Sequence, residues 1–373
     1  MEPLAPHERV FVDSEIAEDE NHGELGCEEC HGGDPYEPDF KRAHAGVVKD
    51  PSYPDAYDSC GICHEDIAEH YQTSLHVSLL PFKKIIDTRA AKDEKRHAEV
   101  DKARQAHCTS CHSSCGQCHI SRPDAVEGGL LEGHLFLKRP PMQLVCTACH
   151  GSRIEKEYFG KNQGMQPDVH RQKYFKCGKC HTGDEMHGDG REYAHRYAVE
   201  NAPTCDGCHG KIYEISAENA RNHWIHKGRV SCQVCHSQAY KNCYACHFGK
   251  DQKGLKYFKT PKSVMNFKVG LNPLRSEKRP EKFVLLRHVP VDPESFQFYV
   301  KDGLTNFEAL PTWKMATPHN IQRQTPQNQT CKNCHGNEAL FLQKKDLESG
   351  RYGKANSPVV VPEEQIPKKR PKD

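Results

Sequence analysis

Residues 108–119 read CTSCHSSCGQCH, which is two copies of the pattern C-x-x-C-H that begin seven residues apart. The pattern occurs ten times in the 373 residues and uses all 20 cysteines, so none is left over. Zinc ribbons and disulfide frameworks also use paired cysteines, but neither requires a histidine directly after the second cysteine. C-x-x-C-H is the attachment signal for c-type haem. The sequence therefore predicts ten covalently bound haems.

In each motif the two thiols bond to the haem vinyl groups, and the histidine that follows becomes the proximal iron ligand. The predicted attachment residues are Cys27, Cys30, Cys60, Cys63, Cys108, Cys111, Cys115, Cys118, Cys146, Cys149, Cys177, Cys180, Cys205, Cys208, Cys232, Cys235, Cys243, Cys246, Cys331 and Cys334. The predicted proximal ligands are His31, His64, His112, His119, His150, His181, His209, His236, His247 and His335. We number the motifs 1 to 10 in chain order, and the haem site of each motif takes the same number.

Fifteen further histidines lie outside the motifs, which exceeds the ten needed for a second axial ligand at every iron. The ten predicted distal ligands share small, turn-forming or apolar neighbours and are His22, His44, His76, His134, His170, His187, His223, His226, His288 and His319. His107 and His195 stay open as replacements for one of them. Methionine ligands would raise the reduction potential, but the surplus of histidine favours bis-histidine ligation and low potentials.

His223 and His226 lie three residues apart in the stretch NHWIH. If this stretch is helical, both side chains lie on one face of the helix. Two residues so close together cannot occupy opposite axial positions of one iron. We therefore expect the two histidines to serve two different haems.

The composition predicts the fold class. Apolar residues make up 36% of the chain and the mean hydropathy is -0.83, whereas globular chains contain roughly 45–50% apolar residues. Haem plates would supply the apolar core that the side chains lack. We expect a multihaem cytochrome c that is mostly irregular, with short α-helices and little β-structure, wrapped around a chain of haems.

The motif spacing divides the chain into three predicted parts. Residues 1–250 form a nine-haem array, and residues 251–330 form a haem-free segment in which KFVLLRHVPV and SFQFYV are predicted as short strands. Residues 331–373 carry the tenth haem and an extended C-terminal tail, in which SPVVVP is either a frayed end or an arm for a neighbouring subunit. The charged stretch KDEKRHAEVDKARQAH predicts a solvent-facing helix.

The charge and hydropathy patterns exclude two classes of partner. The formal net charge is +1, so no global positive field attracts nucleic acid. No apolar run approaches the ~18 residues of a membrane-spanning helix. Covalent haem attachment takes place outside the cytoplasmic membrane, so we expect an extracellular or periplasmic protein. The opening MEPLAPHERV lacks a basic and an apolar region, so we expect an exported chain whose signal peptide is absent from this sequence.

The motifs occur together with CHGG and AHAG near the N-terminus, MHGDG at 186–190, and RHVPV followed by PTWKMATPHNIQRQTPQN before motif 10. In these features the chain resembles extracellular multihaem c-type cytochromes. The resemblance implies electron export, with partner cytochromes or extracellular acceptors as redox partners. Several such cytochromes polymerise into haem nanowires, so the resemblance also implies head-to-tail self-association into a filament.

A second group of proteins gives the alternative interpretation. In its motifs the chain also resembles hydroxylamine oxidoreductases, pentahaem nitrite reductases and octahaem tetrathionate reductases. The alternative function is therefore a multihaem reductase or oxidase of a small nitrogen or sulfur compound with one open haem. The nitrite reductases of that group usually carry C-x-x-C-K, which does not occur here. The sequence therefore predicts an electron-transfer protein that is not an enzyme and has no catalytic residues.

Overall fold

The computed structural model describes residues 4–107, 113–217, 219–241, 265–289, 297–347 and 353–368. Cys108, Cys111 and His112 of motif 3 and Cys243, Cys246 and His247 of motif 9 lie outside these residues. The chain forms two compact units that alternate along the sequence. The first unit comprises Met1–Lys83, Gln105–Gly151 and Lys176–Ala202, and the second comprises Lys84–Arg104, Ser152–Phe175 and Pro203–Asp373. The predicted boundaries at 250/251 and 330/331 stay predictions.

Most helices have only one or two turns. They are α1 (Pro6–Arg9), α2 (Cys27–His31), α3 (Phe40–Ala43), α4 (Glu65–Ala68), α5 (Leu75–Ser78), α6 (Leu80–Arg89), α7 (Glu94–His107), α8 (Gly116–His119), α9 (Cys146–His150), α10 (Lys156–Tyr158), α11 (Val169–Gln172), α12 (Gly183–His187), α13 (Cys205–His209), α14 (Ala220–His226), α15 (Cys232–His236) and α16 (Gly353–Asn356). Short 3₁₀ turns connect many of them. Helices this short are marginal in water, so tertiary contacts must hold them.

Helix α7 confirms the helix predicted in the charged stretch, but one of its faces is buried. Val100 is 1% exposed and Ala103 is 7% exposed. A Cβ atom at Gly303 would lie 2.8 Å from the Val100 side chain, so glycine permits this close approach. The prediction that the helix faces only solvent is therefore wrong on this side.

The strands lie in the second unit. Strand β1 (Tyr240–Lys241) pairs antiparallel with β2 (Met265–Asn266). Strands β3 (Lys268–Leu271), β4 (Phe283–His288) and β5 (Trp313–Met315) form an antiparallel sheet in the order β3-β4-β5. The sheet lies mainly where the sequence predicted it, and the strand predicted in KFVLLRHVPV is confirmed as β4.

Both faces of β4 are covered, because its successive side chains alternate between two hydrophobic clusters. Phe283 and Leu285 belong to one cluster, together with Val269, Phe341 and other residues. Val284 and Leu286 belong to the other, together with Trp313, Leu342, Val359 and their neighbours. An apolar side-chain core therefore exists in the second unit.

The stretch SFQFYV does not form the predicted strand, and that prediction is wrong for its described residues 297–300. They form turns, and the Val300 carbonyl accepts a hydrogen bond from the Gly303 N–H at 3.2 Å. Asp302, between them, has a left-handed φ of 54°. This turn uses the carbonyl that a sheet partner would need.

The C-terminal tail packs against its own chain. Val359, Val361 and Ile366 are buried, with exposures of 3%, 1% and 6%. The Val361 N–H donates to the Leu342 carbonyl at 2.8 Å, and Leu342 in turn donates to Val269 of β3. The run predicted as a frayed end or as an arm for a neighbour thus completes the core of the second unit.

The first unit has few buried apolar side chains. Among its described residues they are Ala56, Ala68, Tyr71, Leu131 and Val145. Six of the ten motifs lie in this unit. The predicted fold class is therefore confirmed as a chain of short helices and loops with little strand. No helix within the described ranges combines the length and the apolar character needed to cross a membrane.

Candidate functional site

Each described motif forms one turn of helix. Motifs 1, 5, 7 and 8 coincide with α2, α9, α13 and α15, motif 4 contains α8, and motifs 2, 6 and 10 begin with 3₁₀ turns. Residues three apart in a helix lie on one face, so both thiols of a motif point to the same side. The backbone N–H of the motif histidine donates to the backbone carbonyl of the first cysteine, as His64 does to Cys60 at 2.9 Å. The turn can therefore present two thiols and one imidazole to a single haem.

Seven motif histidines face a second histidine from elsewhere in the same unit. The pairs and their ring-centroid distances are His31–His134 (5.9 Å), His64–His22 (6.4 Å), His119–His187 (6.1 Å), His150–His76 (6.2 Å), His209–His170 (6.0 Å), His236–His223 (6.3 Å) and His335–His226 (6.3 Å). They belong to sites 1, 2, 4, 5, 7, 8 and 10 among the described residues.

These distances fit an iron ion held between the two rings. A metal–imidazole bond is about 2 Å long, so two imidazoles on opposite sides of one metal have centroids about 6 Å apart. Direct ring stacking would bring the centroids closer, as in the 4.6 Å pair of His288 and Trp313. The spacing therefore matches bis-histidine coordination at each of the seven sites.

Loop backbone conformations hold two of the distal histidines in place. His134 has a φ of 83° and follows Gly133, whose φ is 66° and where a Cβ would overlap Asp13. Gly188, directly after His187, has a φ of 84°, and a Cβ there would lie 3.1 Å from the His70 carbonyl. The small neighbours of these histidines thus allow a close approach of two chain segments.

Three predicted distal ligands face no motif histidine among the described residues. His44 lies 4.2 Å from Phe40, ring centroid to ring centroid, and His288 stacks on Trp313. The His319 N–H donates to Glu157 at 3.1 Å. Of the two alternatives, His195 lies 6.3 Å from Tyr197, and the side chain of His107 is outside the described residues. All ligand roles stay predictions.

Burial keeps several of these imidazoles neutral. It lowers the pKa of His76, His134 and His187, and it lowers the pKa of His288 to about 4. Iron binds the lone pair of neutral imidazole. These side chains therefore hold the protonation state that ligation requires.

Backbone carbonyls orient many of the imidazoles through Nδ1, which leaves Nε2 for the metal. In the proximal set, His31 bonds to the Val48 carbonyl and His119 to the Leu137 carbonyl, both at 2.7 Å. The further pairs are His236–Gln322, His335–Lys368, His44–Phe40, His223–Asn219, His226–Asn222 and His319–Thr317. Each such bond fixes the rotation of the imidazole ring about the bond that joins it to Cβ.

Three imidazoles use a carboxylate instead of a carbonyl, and the sequence analysis missed these partners. His170 bonds to Asp168 at 2.8 Å, His181 to Glu185 at 2.8 Å, and His22 to Asp19 at 3.2 Å. The hydrogen bond to the carboxylate raises the pKa of His170 and of His181. Each carboxylate lies within four residues of its histidine in the sequence, and this short spacing is the signal by which they could have been found.

Thiols of different motifs also contact one another. The nearby thiol of Cys60 raises the pKa of Cys115, that of Cys146 raises the pKa of Cys177, and that of Cys205 raises the pKa of Cys232. Burial, and after it a neighbouring thiol, raises the pKa of Cys30, Cys118 and Cys235; the neighbouring thiols are those of Cys60, Cys146 and Cys334, respectively. Sites 1, 2, 4, 5 and 6 are thus neighbours in that order in the first unit, as are sites 7, 8 and 10 in the second.

Comparisons with known proteins give one similar structure. No protein-family description matches the sequence, and no curated protein matches it. The crystal structure of octaheme cytochrome c from Shewanella oneidensis is similar in structure, with a TM-score of 0.41 and 14% sequence identity over 83% of this chain and 95% of that chain. This similarity assigns no family to the chain, and the multihaem c-type cytochrome interpretation rests on the ten C-x-x-C-H motifs. Similarity to decahaem or filament-forming cytochromes stays a prediction.

The prediction that the chain is not an enzyme is wrong as a conclusion from the sequence. The similar structure is an octahaem cytochrome c, and that class of proteins includes enzymes. A multihaem architecture therefore does not exclude catalysis. The comparison assigns no activity to this chain.

Helix α14 leads to a prediction about two sites. It carries His223 towards His236 of site 8 and His226 towards His335 of site 10. We expect His223→Ala to open site 8 and His226→Ala to open site 10. Low-temperature electron paramagnetic resonance should show one new high-spin ferric signal in each variant, and a different redox transition should shift in each.

The control for this experiment is His97→Ala, because the sequence places His97 among charged, solvated residues and its Nε2 lies 3.8 Å from Asp87. This variant should leave the spectrum unchanged. If both α14 variants perturb the same transition, the assignment of the helix to two irons is wrong.

Proposed function

We propose that this chain is an electron-transfer protein that conducts electrons through ten covalently bound bis-histidine c-type haems. Bound haem iron supplies a one-electron couple at each site. The observation that carries the proposal is the set of seven histidine pairs with centroids 5.9–6.4 Å apart. In each pair the chain places two imidazoles on opposite sides of one position that a haem iron could occupy.

The contacts between motifs support conduction rather than isolated redox sites. Cysteines of sites 2 and 4, of sites 5 and 6, and of sites 7 and 8 lie close enough for one to shift the pKa of the other. A thiol marks the edge of its haem, because it bonds to a vinyl group of that haem. Haem edges of these pairs are therefore adjacent, and electron transfer is fastest between centres whose edges are adjacent.

The finer parts of the proposal rest on the sequence. Covalent haem attachment outside the cytoplasmic membrane supports an extracellular or periplasmic location. The resemblance to extracellular multihaem cytochromes supports electron exchange with partner cytochromes or external acceptors. The same resemblance supports head-to-tail self-association into a filament, with the terminal haems of neighbouring subunits in contact.

Two measurements on the purified holoprotein test the proposal. A pyridine haemochrome assay should give ten haems per chain, and a Cys27→Ala/Cys30→Ala variant should give nine. Electron paramagnetic resonance of the oxidised protein should show only low-spin ferric haem. Eight or fewer haems per chain, with a protein mass to match, would contradict the haem count. A high-spin signal would reveal an open axial position, which is the arrangement that the reductase or oxidase alternative requires.

A further inference from the structure

The hydrogen-bond partners of the axial imidazoles divide the sites into two classes. Many of the described rings donate from Nδ1 to a neutral carbonyl oxygen, as His31 and His119 do. His170 of site 7 and His181 of site 6 instead bond to the carboxylates of Asp168 and Glu185. The difference between the classes is one full negative charge beside the ligand.

We propose that Asp168 and Glu185 are positioning residues that lower the reduction potentials of sites 7 and 6, respectively. This inference rests on the proposed function, because it assumes that haem occupies both sites. It assigns an electronic role to two carboxylates outside the motifs.

Asp168 is buried and is held in place by hydrogen bonds. Its side chain is 3% exposed, and its Oδ1 accepts hydrogen bonds from the backbone N–H and from Nδ1 of His170, both at 2.8 Å. Its Oδ2 accepts the backbone N–H of Ile321 at 2.7 Å. Three donors thus hold a buried carboxylate against the distal ligand of site 7, so its charge is weakly screened by water.

Glu185 reaches the proximal ligand of site 6 from one helical turn further along the chain. Its Oε2 lies 2.8 Å from Nδ1 of His181, and its side chain is 14% exposed. It also lies near His76 of site 5, and its charge opposes the lowering of the pKa of His76 that burial causes. The effect of Glu185 therefore falls first on site 6 and second on site 5.

The direction of the effect follows from charge. A carboxylate that accepts the Nδ1 hydrogen makes the imidazole more basic at Nε2, and such partners tune the metal. The extra negative charge stabilises the ferric state more than the ferrous state, because the ferric state carries one more positive charge. Sites 6 and 7 should therefore have lower potentials than sites whose ligands donate to carbonyls. Asp19 should act more weakly on site 2, since its distance to His22 is 3.2 Å and its side chain is 20% exposed.

The test is a spectroelectrochemical titration of the full-length holoprotein carrying Asp168→Asn or Glu185→Gln. Each change removes the charge and keeps the shape. We expect the midpoint of one transition to move to more positive potential, with a change of about tenfold or more in the ratio of oxidised to reduced haem at a fixed potential, which is 59 mV for one electron. The Asp19→Asn variant should show a smaller shift in the same direction.

Glu192→Gln and Glu277→Gln are the matched controls, because both glutamates are exposed and neither hydrogen-bonds an imidazole within the described residues. Shifts in the Asp168 and Glu185 variants no larger than in these controls would overturn the inference. If the Asp168 variant does not fold, the Glu185 variant decides. Unchanged low-spin spectra and haem content with no shift in potential would refute the inference alone. Absence of bis-histidine haem in the unmodified protein would refute the proposed function.

Discussion

A chain that ends at Gly353 is expected to lose the packed core of the second unit and, with it, haem site 10. Truncation there removes Val359, Val361 and Ile366, each less than 7% exposed. Each buried aliphatic side chain contributes about 1.5–3 kcal/mol, whereas a whole domain is stable by only about 5–15 kcal/mol. The truncation also removes Lys368, whose carbonyl lies 3.2 Å from Nδ1 of the proximal ligand His335.

Circular dichroism during denaturant titration, together with the haem count per chain, would measure this effect. The control is a chain that ends at Lys368, which keeps every described contact of the tail. It should match the full-length protein in unfolding midpoint and haem count. If the chain ending at Gly353 is as stable as the control, the tail does not hold the core together.

The second large effect is expected for Glu157→Ala. Glu157 is 0% exposed, and its Oε1 lies 2.6 Å from Nη2 of Arg287, which is 5% exposed. Its Oε2 accepts the backbone N–H of His319 at 3.1 Å. Removing one partner of a buried ion pair leaves the other charge uncompensated and typically costs about 3–5 kcal/mol. The free energy of unfolding should fall by this amount.

Glu155→Ala provides the matched comparison for that variant. Glu155 lies two residues away and pairs with Lys161 at 2.6 Å, but the lysine side chain is 51% exposed. Exposed pairs contribute about 0–1 kcal/mol. Equal losses of stability in the two variants, measured by denaturant titration, would show that the buried pair has no special role.

The sequence predicts the haem sites further than it predicts the fold around them. The motifs identify the attachment cysteines and the proximal histidines. The surplus of histidines predicts the distal ligands, and the structure places seven of them opposite a motif histidine. Helix α14 illustrates why the role of NHWIH could be predicted. A spacing of three residues in a helix places both histidine side chains on one face, whatever the rest of the chain does. Pairing a given distal histidine with a given motif could not be predicted, because it depends on contacts such as that of His134 with His31 across the chain.

The less predictable features all depend on packing between distant segments. The sequence predicts SPVVVP as a frayed end or as an arm for a neighbouring subunit, because nothing in it identifies Leu342 as the partner. The stretch SFQFYV has the composition of a strand, but the left-handed turn at Asp302 ends it. The sequence does not single out Asp168 and Glu185, since a carboxylate near a histidine is common on any protein surface.

The pairing of the axial histidines also sets the order in which ligand pairs are completed along the chain from its N-terminus. Synthesis proceeds from the N-terminus, so early segments can fold first. For sites 2, 5, 7, 8 and 10 the distal ligand precedes its motif in the sequence, so both ligands are available as soon as the motif emerges. Site 1 has its first ligand at His31 but must wait for His134, and site 4 must wait for His187. Site 1 therefore gains its second ligand at His134, after site 2 is complete and before any of the other five paired sites.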